Sequence, residues 1–234
     1  MKAWKNIKSL IYDFISLFYP EICLVCKNNL LKHEECICTS CLYQTPKTDC
    51  FKQKENDVSK RFWGRVTLEN AASLFQFNKD GNTQKLIHHL KYEGGKETGR
   101  FLGKQLAFAI KESPFFNNIN IIIPVPLHPK KQTLRGYNQS YYIARGLNEI
   151  LKIPVNKNSL SRIENTDSQT RKKRFNRWKN MMNSFALKNV GRLKNKHILL
   201  IDDVVTTGAT LEACSHKLQE ISGVKISVAT VAVA

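Results

Sequence analysis

The stretch from His197 to Leu218, HILLIDDVVTTGATLEACSHKL, constrains this chain more than any other. It opens on Ile198, Leu199, Leu200 and Ile201, a short apolar run suited to a parallel strand buried on both faces. Asp202 and Asp203 follow, then Val204, Val205 and the turn Thr206-Thr207-Gly208-Ala209-Thr210. The spacing beyond it predicts a helix over Leu211 to Glu220. A strand, a turn and a helix N-terminus bring free N–H groups and the positive end of a helix dipole to one point. Gly208 lets the backbone approach a ligand there, and such a turn can hold a phosphate. The two carboxylates fall at the carboxyl end of the strand, where open α/β sheets bind ligands. They can accept hydrogen bonds from sugar hydroxyls or help to bind a metal. The plainer reading has these Asp and Thr side chains only capping the helix.

The acidic pair and Thr-Thr-Gly-Ala-Thr resemble the phosphoribosyl-pyrophosphate (PRPP) loop of type I phosphoribosyltransferases. The resemblance implies that Asp202 and Asp203 contact the ribose hydroxyls. It implies that Thr206, Thr207, Gly208, Ala209 and Thr210 hold the 5′-phosphate, with Mg²⁺ accompanying PRPP. It implies an α/β fold of type I phosphoribosyltransferase kind, a mostly parallel twisted sheet flanked by helices.

A second apolar run, Ile119 to Ile123, is stopped by Pro124-Val125-Pro126-Leu127-His128-Pro129. Lys130, Lys131, Arg135, Gly136, Tyr137, Asn138 and Gln139 come next, before a predicted helix from Ser140 to Leu151. Cations after a strand can neutralise a pyrophosphate, arginine bidentately. The segment resembles the pyrophosphate loop of amidophosphoribosyltransferases, and more closely the ComF family of competence-associated proteins, which joins a zinc knuckle to a phosphoribosyltransferase-like domain. Lys91-Tyr92-Glu93-Gly94 fits that family too. The resemblance makes Lys130, Lys131, Arg135 and Gly136 the pyrophosphate-binding set. Where amidophosphoribosyltransferases carry an acidic-serine pair, this chain has Leu127-His128, which weighs against pyrophosphate chemistry more than against binding. The chain begins Met1-Lys2-Ala3, so no amino-terminal cysteine is expected to hydrolyse glutamine.

Six of the seven cysteines lie between Cys23 and Cys50. Cys23-Leu24-Val25-Cys26 and Cys38-Thr39-Ser40-Cys41 form two C-x₂-C knuckles, enough thiolates for one tetrahedral structural Zn²⁺. Cys36 is the alternative to Cys38, and His33 and Cys50 are weaker candidates. A filled four-ligand site leaves no open position for catalysis, and the metal contributes folding energy to a segment too short for its own core.

Charge adds a second theme. Lys+Arg total 37 against Asp+Glu 19, a net charge of +18 that points to polyanionic partners. The cations concentrate between Lys157 and Lys196. Arg162, Gln169, Arg171, Lys172, Lys173, Arg174, Arg177 and Trp178 match the flexible lid of the look-alike families, which closes over PRPP. The same residues suit single-stranded DNA, with cations for phosphates and Phe175 and Trp178 for unpaired bases. A solvated basic helix is the plainer alternative.

The remaining segments read more simply. Residues 3 to 18 carry apolar side chains at helical spacing, so a helix packed on the body is expected. Cys50 to Arg65 is polar and reads as a linker; Ala71 to Phe77 reads as a strand, and Lys225 to Val233 as another. Helices are expected over Thr83 to Leu90 and Gly99 to Lys111. The expected organisation is an N-terminal helix (1–20), a zinc knuckle (21–55) and a phosphoribosyltransferase-like domain (66–234). No apolar run approaches the ~20 residues of a membrane span, and Asp13 interrupts what would be a secretion signal, so a cytoplasmic protein is expected. Two functions compete. One is a PRPP-binding protein with a single-stranded-DNA surface, serving DNA uptake alongside other competence proteins. The other is an active phosphoribosyltransferase that transfers ribose 5-phosphate to an unnamed acceptor with release of pyrophosphate.

Overall fold

The structure, a computed structural model, describes residues 20–163 and 184–234. The N-terminal helix expected over 3 to 18 lies outside the described residues. So do Gln169, Arg171, Lys172, Lys173, Arg174, Arg177 and Trp178. The chain divides after Thr45 into two compact units.

The smaller unit contains the cysteine knuckles and one short helix, α1 (Thr39–Gln44). Its first knuckle is a tight turn. Lys27 takes a left-handed φ of 65°, its N–H donates to the Cys23 carbonyl at 3.0 Å, and Cys23 N–H donates to Asn28 O at 2.8 Å.

The larger unit is built on four parallel strands in the order β1 (Asn70–Gln76), β6 (Lys225–Val233), β5 (His197–Val205), β2 (Ile121–Pro124). Asp202 stands opposite Thr230 on one side, and Pro124 opposite Ile201 on the other. β6 is buried at every position after Lys225, as a strand covered on both faces must be. The apolar runs at 119–123, 198–205 and 226–233 supply those strands, so the α/β class and the mostly parallel sheet expected of a type I phosphoribosyltransferase-like chain are what the protein adopts. A separate antiparallel pair joins β3 (Leu160–Arg162) to β4 (Phe185–Leu187).

Helices α3 (Asn82–Tyr92), α4 (Lys96–Glu112), α6 (Gln139–Leu151) and α7 (Ala209–Gln219) fill the layers. α4 and α6 touch backbone to backbone. A Cβ on Gly103 would stand 2.1 Å from the Ile143 carbonyl, and one on Gly146 would stand 2.0 Å from that of Arg100. Only glycine at both positions permits that approach.

Two expectations are corrected. The stretch from Cys50 to Arg65 is not a linker, because Phe51, Val58 and Phe62 are buried and a short helix, α2 (Asp57–Lys60), forms within it. Asn56 caps that helix, and its amide donates to Ala71 O at 3.0 Å, tying the segment to β1. Polar residues dominate the stretch, but a few buried aromatics decide its packing. The basic residues after Pro129, which the residue pattern suggests as a turn between β2 and the helix from Ser140, are helical, as α5 (Pro129–Arg135). His128 caps it, and proline sits at its first position, where no N–H is needed. Among the described residues no helix is long and apolar enough to cross a membrane.

Candidate functional site

β5 carries the acidic pair to its carboxyl end, and the chain leaves β5 for β6 on one side while β2 lies on the other. The loop after β2 therefore rises beside Asp202 and Asp203. In open α/β sheets this is the place where strand order reverses and a crevice opens. The β2 loop is fastened there. Val125 N–H donates to Ile201 O at 2.8 Å, and the Asn138 amide donates to Val125 O at 2.9 Å.

Ser140, in the first turn of α6, donates its hydroxyl to Asp202 Oδ1 at 2.9 Å, and Asp203 N–H donates to the same oxygen at 2.9 Å. Lys91 Nζ, from the last turn of α3, lies 3.2 Å from Asp203 Oδ2. Loss of hydration, with the neighbouring Asp203 charge adding to it, pushes the Asp202 carboxyl up to about 7, while the two donors and Lys91 pull the other way. Asp202 is thus a carboxyl that titrates near neutrality.

The Thr-rich turn follows. Gly208 has φ +77° and is the N-cap of α7; a Cβ on it would meet the Phe62 ring at 2.9 Å. Two arginines of the segment read as linker bind carbonyls of this turn. Arg61 donates to the Thr206 carbonyl, and Arg65 donates to the Thr207 carbonyl at 2.8 Å. Arg65 also pairs with Glu212, a buried acid in the first turn of α7, which would otherwise oppose an anion at that helix N-terminus. Carbonyls satisfied on one side leave the N–H groups of a turn available to a phosphate on the other. Arg61, Arg65, Ser140 and Glu212 were absent from the sequence-derived site. Their contacts cross up to 147 positions, and no local signal announces them.

The proposed pyrophosphate set is more dispersed. Lys130 and Lys131 project from α5 into solvent, whereas Arg135 lies over the Tyr92 ring at 5.2 Å, beside Lys91. Gly136 caps α5 with φ +74° and lines a cavity of about 380 Å³ together with Pro126, Asn138 and Arg162. Tyr137 donates its hydroxyl to the Leu90 carbonyl, joining this loop to the end of α3. Of the basic stretch read as lid or DNA contact, Arg162 alone is described; it lies on β3 with its guanidinium 5.4 Å from the Phe185 ring.

In the smaller unit the sulfurs of Cys23, Cys26, Cys38 and Cys41 all lie within 4.8 Å of one another. Cys26 and Cys38 are 3.8 Å apart, close to the ~3.8 Å edge of a zinc–thiolate tetrahedron with ~2.3 Å bonds. Cys36, His33 and Cys50 fall outside the group. Burial opposes ionisation of Cys23, yet N–H donors of Cys26, Cys38 and Val25 outweigh it and bring the thiol down to about 6. Burial and the neighbouring sulfurs push Cys41 up to about 12, as expected of a thiol that would ionise only with a cation present. The donor set fits a structural metal such as Zn²⁺.

No protein-family model matches the chain. It is similar to competence protein F of Haemophilus influenzae, 31% identical over 147 residues, which are 61% of this chain and 64% of that protein. It is similar to competence protein ComFC of Bacillus subtilis, 26% identical over 86% of this chain and 78% of the relative. The DNA utilization protein YhgH of Escherichia coli K12 is 27% identical over 57% of this chain and 59% of its own length. The chain thus spans less than two thirds of competence protein F and of YhgH. Among solved structures, the purine phosphoribosyltransferase of Pyrococcus horikoshii matches at TM-score 0.36 and 20% identity, over 59% of this chain and 73% of its own. The glutamine PRPP amidotransferase of B. subtilis matches at TM-score 0.39 and 19% identity, over 64% of this chain and 28% of its own. Likenesses of that size say nothing of ligand or reaction. The chain is thus similar to competence proteins of the ComF kind, and its parallel sheet and cysteine knuckles are compatible with that likeness.

Proposed function

We propose that this is a PRPP-binding protein of the cytoplasm whose basic surface takes single-stranded DNA during uptake and transformation, alongside other competence proteins. The observation that carries the PRPP half is the acidic pair at the end of β5, flanked by Ser140 and Lys91 and followed by a turn whose carbonyls are bound by Arg61 and Arg65. Asp202 and Asp203 accept the ribose hydroxyls, and residues 206–210 receive the 5′-phosphate at the N-terminus of α7. Arg135, Lys130, Lys131 and the Gly136 turn face the pyrophosphate, which Mg²⁺ accompanies. The DNA half draws support from the +18 charge and from what two relatives are called, a competence protein and a DNA utilization protein. The zinc knuckle is structural in this reading.

Lys91 at Asp203, with Arg135 over the ring of the next residue, Tyr92, favours a second reading, turnover of PRPP. A nucleophile would attack ribose C1 as pyrophosphate leaves, with positioning and fixed charges supplying the acceleration. Calorimetry of PRPP with Mg²⁺, run with and without a short single strand, tests both. Binding that DNA alters supports the reading in which one protein takes both PRPP and single-stranded DNA, and pyrophosphate release would establish turnover. A chain that binds no PRPP at all would overturn the PRPP assignment and leave any DNA binding to stand alone.

A further inference from the structure

A groove of about 1030 Å³ is lined by Ile121 of β2 and by residues 154–156, which bridge β2 through Ile122 on the side away from β5. One wall is α6, which presents Tyr141, Arg145 and Asn148; the other contains Lys157, Asn158 and Arg192. Ile121, the first residue of β2, forms part of the floor. The lining holds three cations and no carboxylate. Arg145, Lys157 and Arg192 are all exposed, and among the described residues none of them joins an ion pair. Lys157 stands 5.2 Å above the Tyr141 ring.

We infer that this groove is a track for single-stranded nucleic acid. The inference rests on the DNA reading above and gives that reading an address outside the basic stretch at 171–174. Three features select the occupant. Tyr141, Arg145 and Asn148 follow one another at helical spacing, so they share one face and extend over about 10 Å of helix. A lone phosphate needs one such cation; cations spread over that length on both walls suit a chain of phosphates. Tyr141 lies in the groove beside Lys157, where an unpaired base can stack and a base held inside a duplex cannot reach. The groove also shares Tyr141 and Lys157 with the cavity beside Gly136, so a strand lying in it ends next to the proposed pyrophosphate loop. That continuity couples the two ligands: a bound strand changes the charge around the PRPP site without touching Asp202 or Asp203.

The test is fluorescence anisotropy with a labelled oligothymidylate, an oligouridylate of equal length and a duplex, on the full-length protein. Arg145→Ala with Arg192→Ala should keep the wild-type melting temperature within a few degrees and lose about tenfold in affinity for the single strand. The slope of log affinity against log salt should fall by about 1.4 for two lost phosphate contacts. Tyr141→Ala should weaken binding about tenfold, whereas Tyr141→Phe, which keeps the ring, should restore it. Folded variants with unchanged affinity and salt slope would overturn the groove while leaving DNA binding intact. A wild type that binds no single strand would overturn both. Equal affinity for the duplex would overturn the unpaired-base argument, and binding of oligouridylate alone would keep the groove and replace DNA by RNA.

Discussion

Lys91 Nζ lies 3.2 Å from Asp203 Oδ2, so the last turn of α3 reaches the carboxyl end of β5 across more than a hundred positions of sequence. Beside this contact, burial raises the Asp202 carboxyl. In the folded state the Asp202 carboxyl keeps its proton up to about 7, against an ordinary 3.8. Between those values the folded protein binds more protons than the unfolded chain. The stability contributed by this group is therefore full below about 3.8 and is lost as pH rises through 7. Asp202→Asn should flatten that slope and raise stability at pH 8 by about 1–2 kcal/mol, less than the whole shift represents because the side chain is only half-buried. Urea unfolding of both proteins at acid and alkaline pH checks the sign. In the proposed site, sugar hydroxyls need the carboxylate form, so PRPP affinity should strengthen as pH rises through 7.

Asp202→Ala combined with Asp203→Ala should abolish PRPP binding and leave the metal of the cysteine knuckles in place. Calorimetry and metal analysis on the same preparation separate the two. Unchanged affinity in a folded double variant would sink the ribose assignment.

Arg65→Ala should cost about 2 kcal/mol, because it takes the arginine away from the buried Glu212 carboxylate and frees the Thr207 carbonyl. Adding Glu212→Gln should return much of that stability, since the buried charge is then gone. PRPP affinity should stay low in both proteins because the turn has lost the arginine that binds its Thr207 carbonyl. Recovery of affinity together with stability would show that the arginine acts only through folding.

Replacing Arg171, Lys172, Lys173 and Arg174 by alanine should weaken single-stranded DNA binding and flatten its salt dependence. Equilibrium titrations at several salt concentrations measure both. If affinity and slope stay put, this stretch is no DNA contact.

Zinc analysis should return close to one ion per chain, and Cys23→Ser with Cys26→Ser should lose it. Chelation should unfold the smaller unit, whose described part holds few buried apolar side chains: Val25 and Ile37 beside Cys23 and Cys41. A metal-free, fully folded wild type would contradict this.

The parallel strands, the helices around Ser140 and Leu211 and the choice of Cys38 over Cys36 were legible without coordinates. Each rests on local chemistry: β-branched runs, a glycine turn, a two-residue cysteine spacing. Local pattern set these elements because a strand buried on both faces, or a metal knuckle, imposes its residue types over a few consecutive positions. What surrounds the acidic pair was not legible. Ser140, Lys91 and the pair Arg61 and Arg65 sit in three separate segments, and one of them looked like a linker because its buried Phe51, Val58 and Phe62 were outnumbered by charges. Only the crossover order of the sheet, with β2 on one side of β5 and β6 on the other, brings those segments to one crevice. Pairings across that distance leave no period in the sequence, so the tertiary structure alone decides them.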